Sequence, residues 1–349
     1  MADRDWTQIP EAKDGPDFDN LIAVLERKPP SRPTLYELFL NDELYRLAGH
    51  DARTDIPDRY HDTARTIASM ARLGYDYIPA GVPGFHFDKG DRHYAKTYSL
   101  NEGAVIWDRA SFDAYNWPDV EETDHASLDA VGELLPDGMK LMVLAPCGVL
   151  ENVIGMVGYE TLCMLIADDE QLVHDIFENV GSRIVEYYKK VVTYDCVGGI
   201  VGNDDWGYKS QTMLSPADMR RFVFPWHKQS VAAAHEAGKV TILHSCGYRQ
   251  EVLDDICDDI NYDGVHSYED TIQPVESAYD QYGDRVAIIG GIDVDFMVRR
   301  SPEEIYERAQ AMLTKTNGRG YALGSGNSIA PYIPNENYFA LVSAALDMR

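Results

Sequence analysis

The sequence predicts an α/β protein of the (β/α)8 TIM-barrel type. Eight short apolar runs recur along the chain, at 34–40, 75–82, 140–145, 199–203, 240–244, 264–267, 286–290 and 320–323, mostly separated by amphipathic stretches. Several, such as Val240-Thr-Ile-Leu243 and Val286-Ala-Ile-Ile289, are near-continuously apolar, the pattern of strands buried on both faces of a parallel sheet. The 349-residue length suits one such barrel, and 45% hydrophobic residues suffice for its core. A doubly wound open sheet is the alternative.

In chain order, residues 1–33 read as an N-terminal helical extension, with helical spacing over 18–25 and a stiff polyproline-like entry at Lys28-Pro-Pro-Ser-Arg-Pro33. Residues 34–349 form the barrel, interrupted at about 83–139 by an insertion carrying His86, His93, Tyr94, Tyr98, Trp107, Phe112, Tyr115 and Trp117. Long insertions of this kind serve as lids or binding loops, or pack on themselves through their own aromatics. Helices are expected at 156–166, 170–194, 216–237 and 303–314. Ser215-Pro-Ala-Asp218 and Ser301-Pro-Glu-Glu304 each put serine at the N-cap, proline at the first position and a carboxylate at the third.

The formal charge is −27. A surface that acidic repels phosphate backbones and anionic lipid, so nucleic-acid and membrane roles are not expected. Five cysteines without regular spacing indicate a reduced, cytoplasmic chain. The start, Met1-Ala-Asp-Arg-Asp-Trp6, has no apolar targeting core, and no run of 18 apolar residues occurs. The oligomeric state is open, with a homodimer as one candidate.

In a barrel, chemistry gathers at strand C-termini. His244-Ser245-Cys246 ends one such run; alternation sends residues i and i+2 to the same side, so an imidazole and a thiol aim at one point. That pair suits Zn2+, which takes nitrogen and sulfur ligands and acts as a Lewis acid. A third ligand is sought on neighbouring strand ends. Glu269 is the first choice, with Asn327 and Glu37 behind it; Cys257 reads as the buried face of a helix. Asp204 and Asp205 offer paired carboxylates for acid–base work, or a cap and a solvated neighbour. Trp206, Tyr208 and Lys209 follow them and are candidates to shape a substrate pocket with His86 of the insertion. Asp293, after two glycines, is a candidate to orient a ligand or to cap the next turn. Cys147 lacks an assignable base. Asp91-Arg-His93 faintly matches the start of a corrinoid-binding motif, but Lys96 stands where that motif has glycine. Any corrinoid is therefore expected on another polypeptide.

Together these residues resemble the uroporphyrinogen decarboxylase superfamily, and its methyltransferase branch more than its decarboxylases. The resemblance is carried by Ile242-Leu-His-Ser-Cys-Gly247, Tyr282-Gly-Asp-Arg-Val-Ala-Ile-Ile-Gly-Gly-Ile-Asp293, Ser301-Pro-Glu-Glu304, Gly320-Tyr-Ala-Leu323 through Ile333-Pro-Asn-Glu-Asn337, and Asp204-Asp205-Trp-Gly207 with Leu214-Ser-Pro216. It runs from about residue 140 to the end and more loosely from about 30. It implies a (β/α)8 barrel and a zinc-dependent methyl transfer between a small molecule, such as an aryl methyl ether, and a corrinoid (cobalamin) on a separate protein. The branch binds zinc through His-x-Cys and a later cysteine. His244 and Cys246 match; Ser325 and Asn327 stand where the later cysteine would be. The decarboxylases' arginine-rich N-terminal motif is absent, which leaves a porphyrinogen-type decarboxylase and a non-catalytic binding barrel as the alternatives.

Overall fold

The computed structural model describes residues 4–90, 99–101 and 103–349. Asp91, Arg92, His93, Tyr94, Lys96 and Tyr98, singled out above, lie outside the described residues. The fold is built on a seven-stranded parallel sheet in sequential order. The strands are β1 (Tyr77–Ala80), β2 (Lys140–Leu144), β3 (Val197–Asn203), β4 (Val240–His244), β5 (Gly264–His266), β6 (Ala287–Ile289) and β7 (Tyr321–Ala322). Each coincides with a predicted apolar run. Strands this apolar must be covered on both faces, and helical segments lie between successive strands.

The predicted strand 34–40 is reduced to one parallel bridge, Leu35 with Leu323 beyond β7. The chain then leaves the ladder because a side chain takes over: the Tyr77 hydroxyl accepts from the Glu37 amide at 2.9 Å and donates to the Glu37 carbonyl. Tyr36 stacks on Tyr77 at 5.1 Å and its ring lies 5.1 Å from that of His266. The 34–37 segment thus touches both edges of a strongly curled sheet.

The helix Asp19–Leu25 forms where expected, and its Leu21, Val24 and Leu25 are buried. It caps the N-terminal end of the sheet. Phe18 lies over Gly198 at the start of β3, and Leu25 over Gly264 at the start of β5; neither glycine leaves room for a Cβ. The helix expected at 156–166 is instead two, Val149–Val157 and Tyr159–Asp168, bent by 93°. Gly158 sits between them at φ +83°, which breaks the helix at little steric cost. The helix Glu170–Val191 and the capping box that opens Pro302–Thr316, with Ser301 and Glu304 bonded reciprocally, follow the sequence pattern. The 216–237 helix carries a π-helical turn at Met219–Val223, just before Pro225, whose missing N–H cannot join the regular ladder.

Within the 83–139 insertion, Phe87, Phe112 and Tyr115 pack around Trp117, and Phe85 stacks on Tyr187 of the helix Glu170–Val191 at 5.1 Å. Phe85 and Phe87 join the main core, and Phe112, Tyr115 and Trp117 pack against it. Among the described residues no single helix is long and apolar enough to cross a membrane.

Candidate metal centre at the strand C-termini

β3 runs out at Asn203, and Asp204 turns inward. It is fully buried. Its Oδ1 accepts from the Glu151 amide at 2.9 Å, and its Oδ2 meets the Leu150 amide (3.0 Å), Trp206 Nε1 (3.0 Å) and His227 Nε2 (2.9 Å). The two amides belong to the first turn of the helix Val149–Val157, so Asp204 satisfies from β3 the donors that an N-cap side chain would. Gly148 holds the cap position itself because Asp204 fills the space a Cβ would need. The other nitrogen of His227 meets the Tyr262 hydroxyl at 2.8 Å. Engaged on both oxygens and shut off from solvent, Asp204 positions its surroundings; the acid–base reading of this residue gives way to that role.

Asp205 points the other way, into the mouth of the sheet. Its Oδ1 accepts from the Cys246 amide at 2.8 Å. Among the described residues it forms, with His244 and Cys246, the group suited to a metal ion: their ligand atoms all lie within 4.8 Å of one another. The fit to zinc can be tested on one distance. Tetrahedral bonds of about 2.3 Å to sulfur and about 2.05 Å to nitrogen set the two ligand atoms about 3.6 Å apart. Cys246 Sγ lies 3.7 Å from His244 Nε2. One imidazole, one thiol and one carboxylate are also the donor types zinc takes.

The neighbouring strand fixes the imidazole. His244 of β4 pairs in register with His266 of β5, so both rings rise from the same face. Their Nδ1 atoms are 2.7 Å apart. Nε2 of His266 lies 3.4 Å from the Ser325 carbonyl, which can only accept, so that nitrogen carries a proton. Burial pushes both imidazoles below their ordinary pKa, which keeps them neutral. A neutral His266 then has a bare Nδ1 and accepts from Nδ1–H of His244. Nε2 of His244 is left with a free lone pair facing Cys246. The hydrogen bonds thus select the tautomer a metal requires.

Cys246 Sγ also receives Nδ2 of Asn327 at 3.3 Å and Oγ of Ser267 at 3.8 Å. Burial and the Asp205 carboxylate push the thiol pKa up to about 12, against these two donors. A divalent cation held here would supply the charge that reverses this balance, since a coordinating thiol loses its proton. Glu151 stands nearby: burial, then Asp204 and Asp205, push its pKa up to about 8, with Lys89 opposing. Cys147 has its thiol pKa raised by burial and by Glu151.

A family profile for uroporphyrinogen decarboxylase (URO-D) matches residues 126–348. The chain belongs to the uroporphyrinogen decarboxylase family. Among solved structures, a methyltransferase from Methanosarcina mazei is 18% identical, covers 93% of this chain and 97% of its own, and superposes with a TM-score of 0.67. A protein described as a vitamin-B12-independent methionine synthase from Listeria monocytogenes is 12% identical, with 91% and 98% coverage and a TM-score of 0.52. At these identities the likeness is one of fold. No curated protein sequence matches the chain.

In this URO-D family member the other residues singled out from sequence scatter. Glu269 is not part of the Asp205–His244–Cys246 group. It lines an adjoining cleft of about 560 Å³ together with Asp293 and Asn327, the last of which also reaches Cys246 Sγ. Counted from His266, whose ring shares a face with His244, alternation places residue 269 on the opposite face, and β5 has already ended at His266, with Ser267 at φ +93°. Asp293 caps the helix Val294–Arg299 through the Phe296 amide at 2.8 Å and receives the Asp270 amide at 2.8 Å. Glu37 is buried against Ser325, whose amide and hydroxyl it accepts at 2.7 and 2.6 Å. Trp206 is wholly buried against Phe224 and His227 and does not line a pocket. Tyr208, Lys209 and His86 are exposed. The sequence places His266 at a strand end without giving it a role, and does not single out Glu151. Two apolar runs each ending in histidine, Ile242-Leu-His244 and Gly264-Val-His266, carried the signal for His266. Glu151 had none beyond following Gly148.

Proposed function

We propose that this chain is a zinc-dependent methyltransferase that moves a methyl group between a small molecule and a corrinoid held on a separate protein, on a (β/α)8 barrel closed by the 34–37 segment. The observation that carries the reading is the convergence of Asp205, His244 and Cys246 at the strand C-termini of a URO-D family chain. The fold likeness to a methyltransferase supports it. Asp205 stands here as the third ligand in place of Glu269. Bound zinc supplies a Lewis acid for a poor leaving group, such as the oxygen of an aryl methyl ether, or for a thiol acceptor. The remaining work falls to the chain. His266 holds His244 in the ligating tautomer, while Asn327 and Ser267 aim donors at Cys246 Sγ. Glu151, protonated near neutral pH, is the nearby group able to hand a proton to a departing oxygen.

The test is metal analysis of the purified protein followed by methyl transfer to cob(I)alamin from a panel of aryl methyl ethers and methylamines. One zinc per chain with zinc-dependent methylcobalamin formation is expected. Chelator-insensitive release of carbon dioxide from a porphyrinogen, with no methyl transfer, would return the chain to decarboxylation.

A further inference from the structure

Arg249 is an unusual residue for its position. Arginine is rarely buried without a carboxylate, because desolvating its charge costs several kcal/mol or more. Here it is 5% exposed. Among the described residues it has no carboxylate partner; the hydrogen bonds of its guanidinium go to main-chain carbonyls. Nη1 donates to Ser245 O at 2.9 Å and to Gly247 O at 3.3 Å, and Nη2 donates to Ser267 O. The guanidinium lies 4.7 Å from the Tyr268 ring, and its Nε is buried without a partner.

The three carbonyls are not scattered. Ser245 and Gly247 flank Cys246 on either side. Ser267 is the residue whose hydroxyl reaches Cys246 Sγ, and its backbone is held at φ +93°, a conformation that costs a residue with a side chain about 1–3 kcal/mol. The rest of the Cys246 backbone is tied as well. Its amide donates to Asp205 and its carbonyl accepts from the Gly207 amide at 3.2 Å. Gly247, at φ +79°, packs so closely on the Gly207 backbone that no Cβ fits between the two turns.

We propose that Arg249 is a positioning residue, a three-carbonyl clamp that fixes the Cys246 thiol and the Ser267 hydroxyl in place relative to His244 and Asp205. This rests on the metal reading above. The guanidinium spreads rigidly held donors over two nitrogens that reach the two loops at once, whereas a lysine gathers its three donors on one atom at the end of a flexible stem.

The test compares wild type, Arg249→Lys and Arg249→Met, using Co2+ as the probe. Affinity is read by competition with a chelator, and sulfur ligation by the thiolate-to-cobalt absorption band. Circular dichroism and melting temperature report folding of the metal-free chains. Folded variants are expected, with Arg249→Met binding Co2+ about 10–100-fold more weakly, as for other partners that orient a ligand. Its absorption band should be weakened, and Arg249→Lys should fall between. A folded Arg249→Met chain with wild-type affinity and band overturns the clamp. So does failure of both variants to fold, which would assign Arg249 to the core alone. Wild type that binds no Co2+ removes the metal reading itself, and this inference with it.

Discussion

Asp205 and Glu269 separate the geometry from the sequence pattern. Both are carboxylates just past a strand end, but only Asp205 shares a focus with His244 and Cys246. Asp205→Ala is expected to weaken zinc binding by about 100-fold, the upper end of what even supporting partners contribute. Glu269→Ala is expected to leave it unchanged. A chelator-competition titration of both variants decides between them, and equal losses would contradict the assignment. The histidine–cysteine pair was legible because it needs only alternation along one strand. The third ligand was not, because Asp205 comes from another strand end, and its meeting with Cys246 depends on the register that pairs Asn203 with His244.

Glu37 offers a test by pH. Burial lifts its pKa from 4.5 to about 8. As pH rises, the unfolded chain therefore releases this proton first. The stability it contributes is complete below about pH 4.5 and is lost on the way to about pH 8, at up to about 1.4 kcal/mol per pH unit. Glu37→Gln should flatten this decline. Urea unfolding between pH 5 and 8 measures it, and an unchanged slope in the variant would contradict the account.

At the scale of elements, the junction of β3 with the helix Val149–Val157 holds the site together. Asp204 reaches across to cap that helix, and Gly148 leaves it the room. Gly148→Ala should cost about 1–3 kcal/mol through overpacking, read as a fall in the urea midpoint. It should also weaken zinc binding, since Asp205 follows directly on Asp204. A variant of normal stability and zinc affinity would show that the junction tolerates rearrangement. The strands were legible because double-sided burial leaves continuous apolar runs. Cross-strand contact between His244 and His266 follows from register, which those runs imply only once they are aligned by their ends. The division of the 149–168 region at Gly158 was hidden, because both halves carry helical spacing and only the backbone angle at the glycine separates them.

At the scale of the molecule, a ligand that binds only the folded chain must stabilise it. Free zinc at 100 times its dissociation constant should raise stability by about 2.7 kcal/mol. Thermal melts with and without zinc should show the rise in wild type and none in His244→Ala. The strand positions could be read from the chain because they follow from double-sided burial. Edge closure could not, because a tyrosine hydroxyl at Tyr77 replaces main-chain pairing beside Glu37. The most direct test of the whole account is X-ray absorption at the zinc edge of the zinc-loaded protein. It should report one sulfur at about 2.3 Å with nitrogen and oxygen ligands at about 2.0–2.2 Å. The sulfur contribution should vanish in Cys246→Ala. A spectrum without sulfur in wild type, or one unchanged by that substitution, would contradict the assignment of this site.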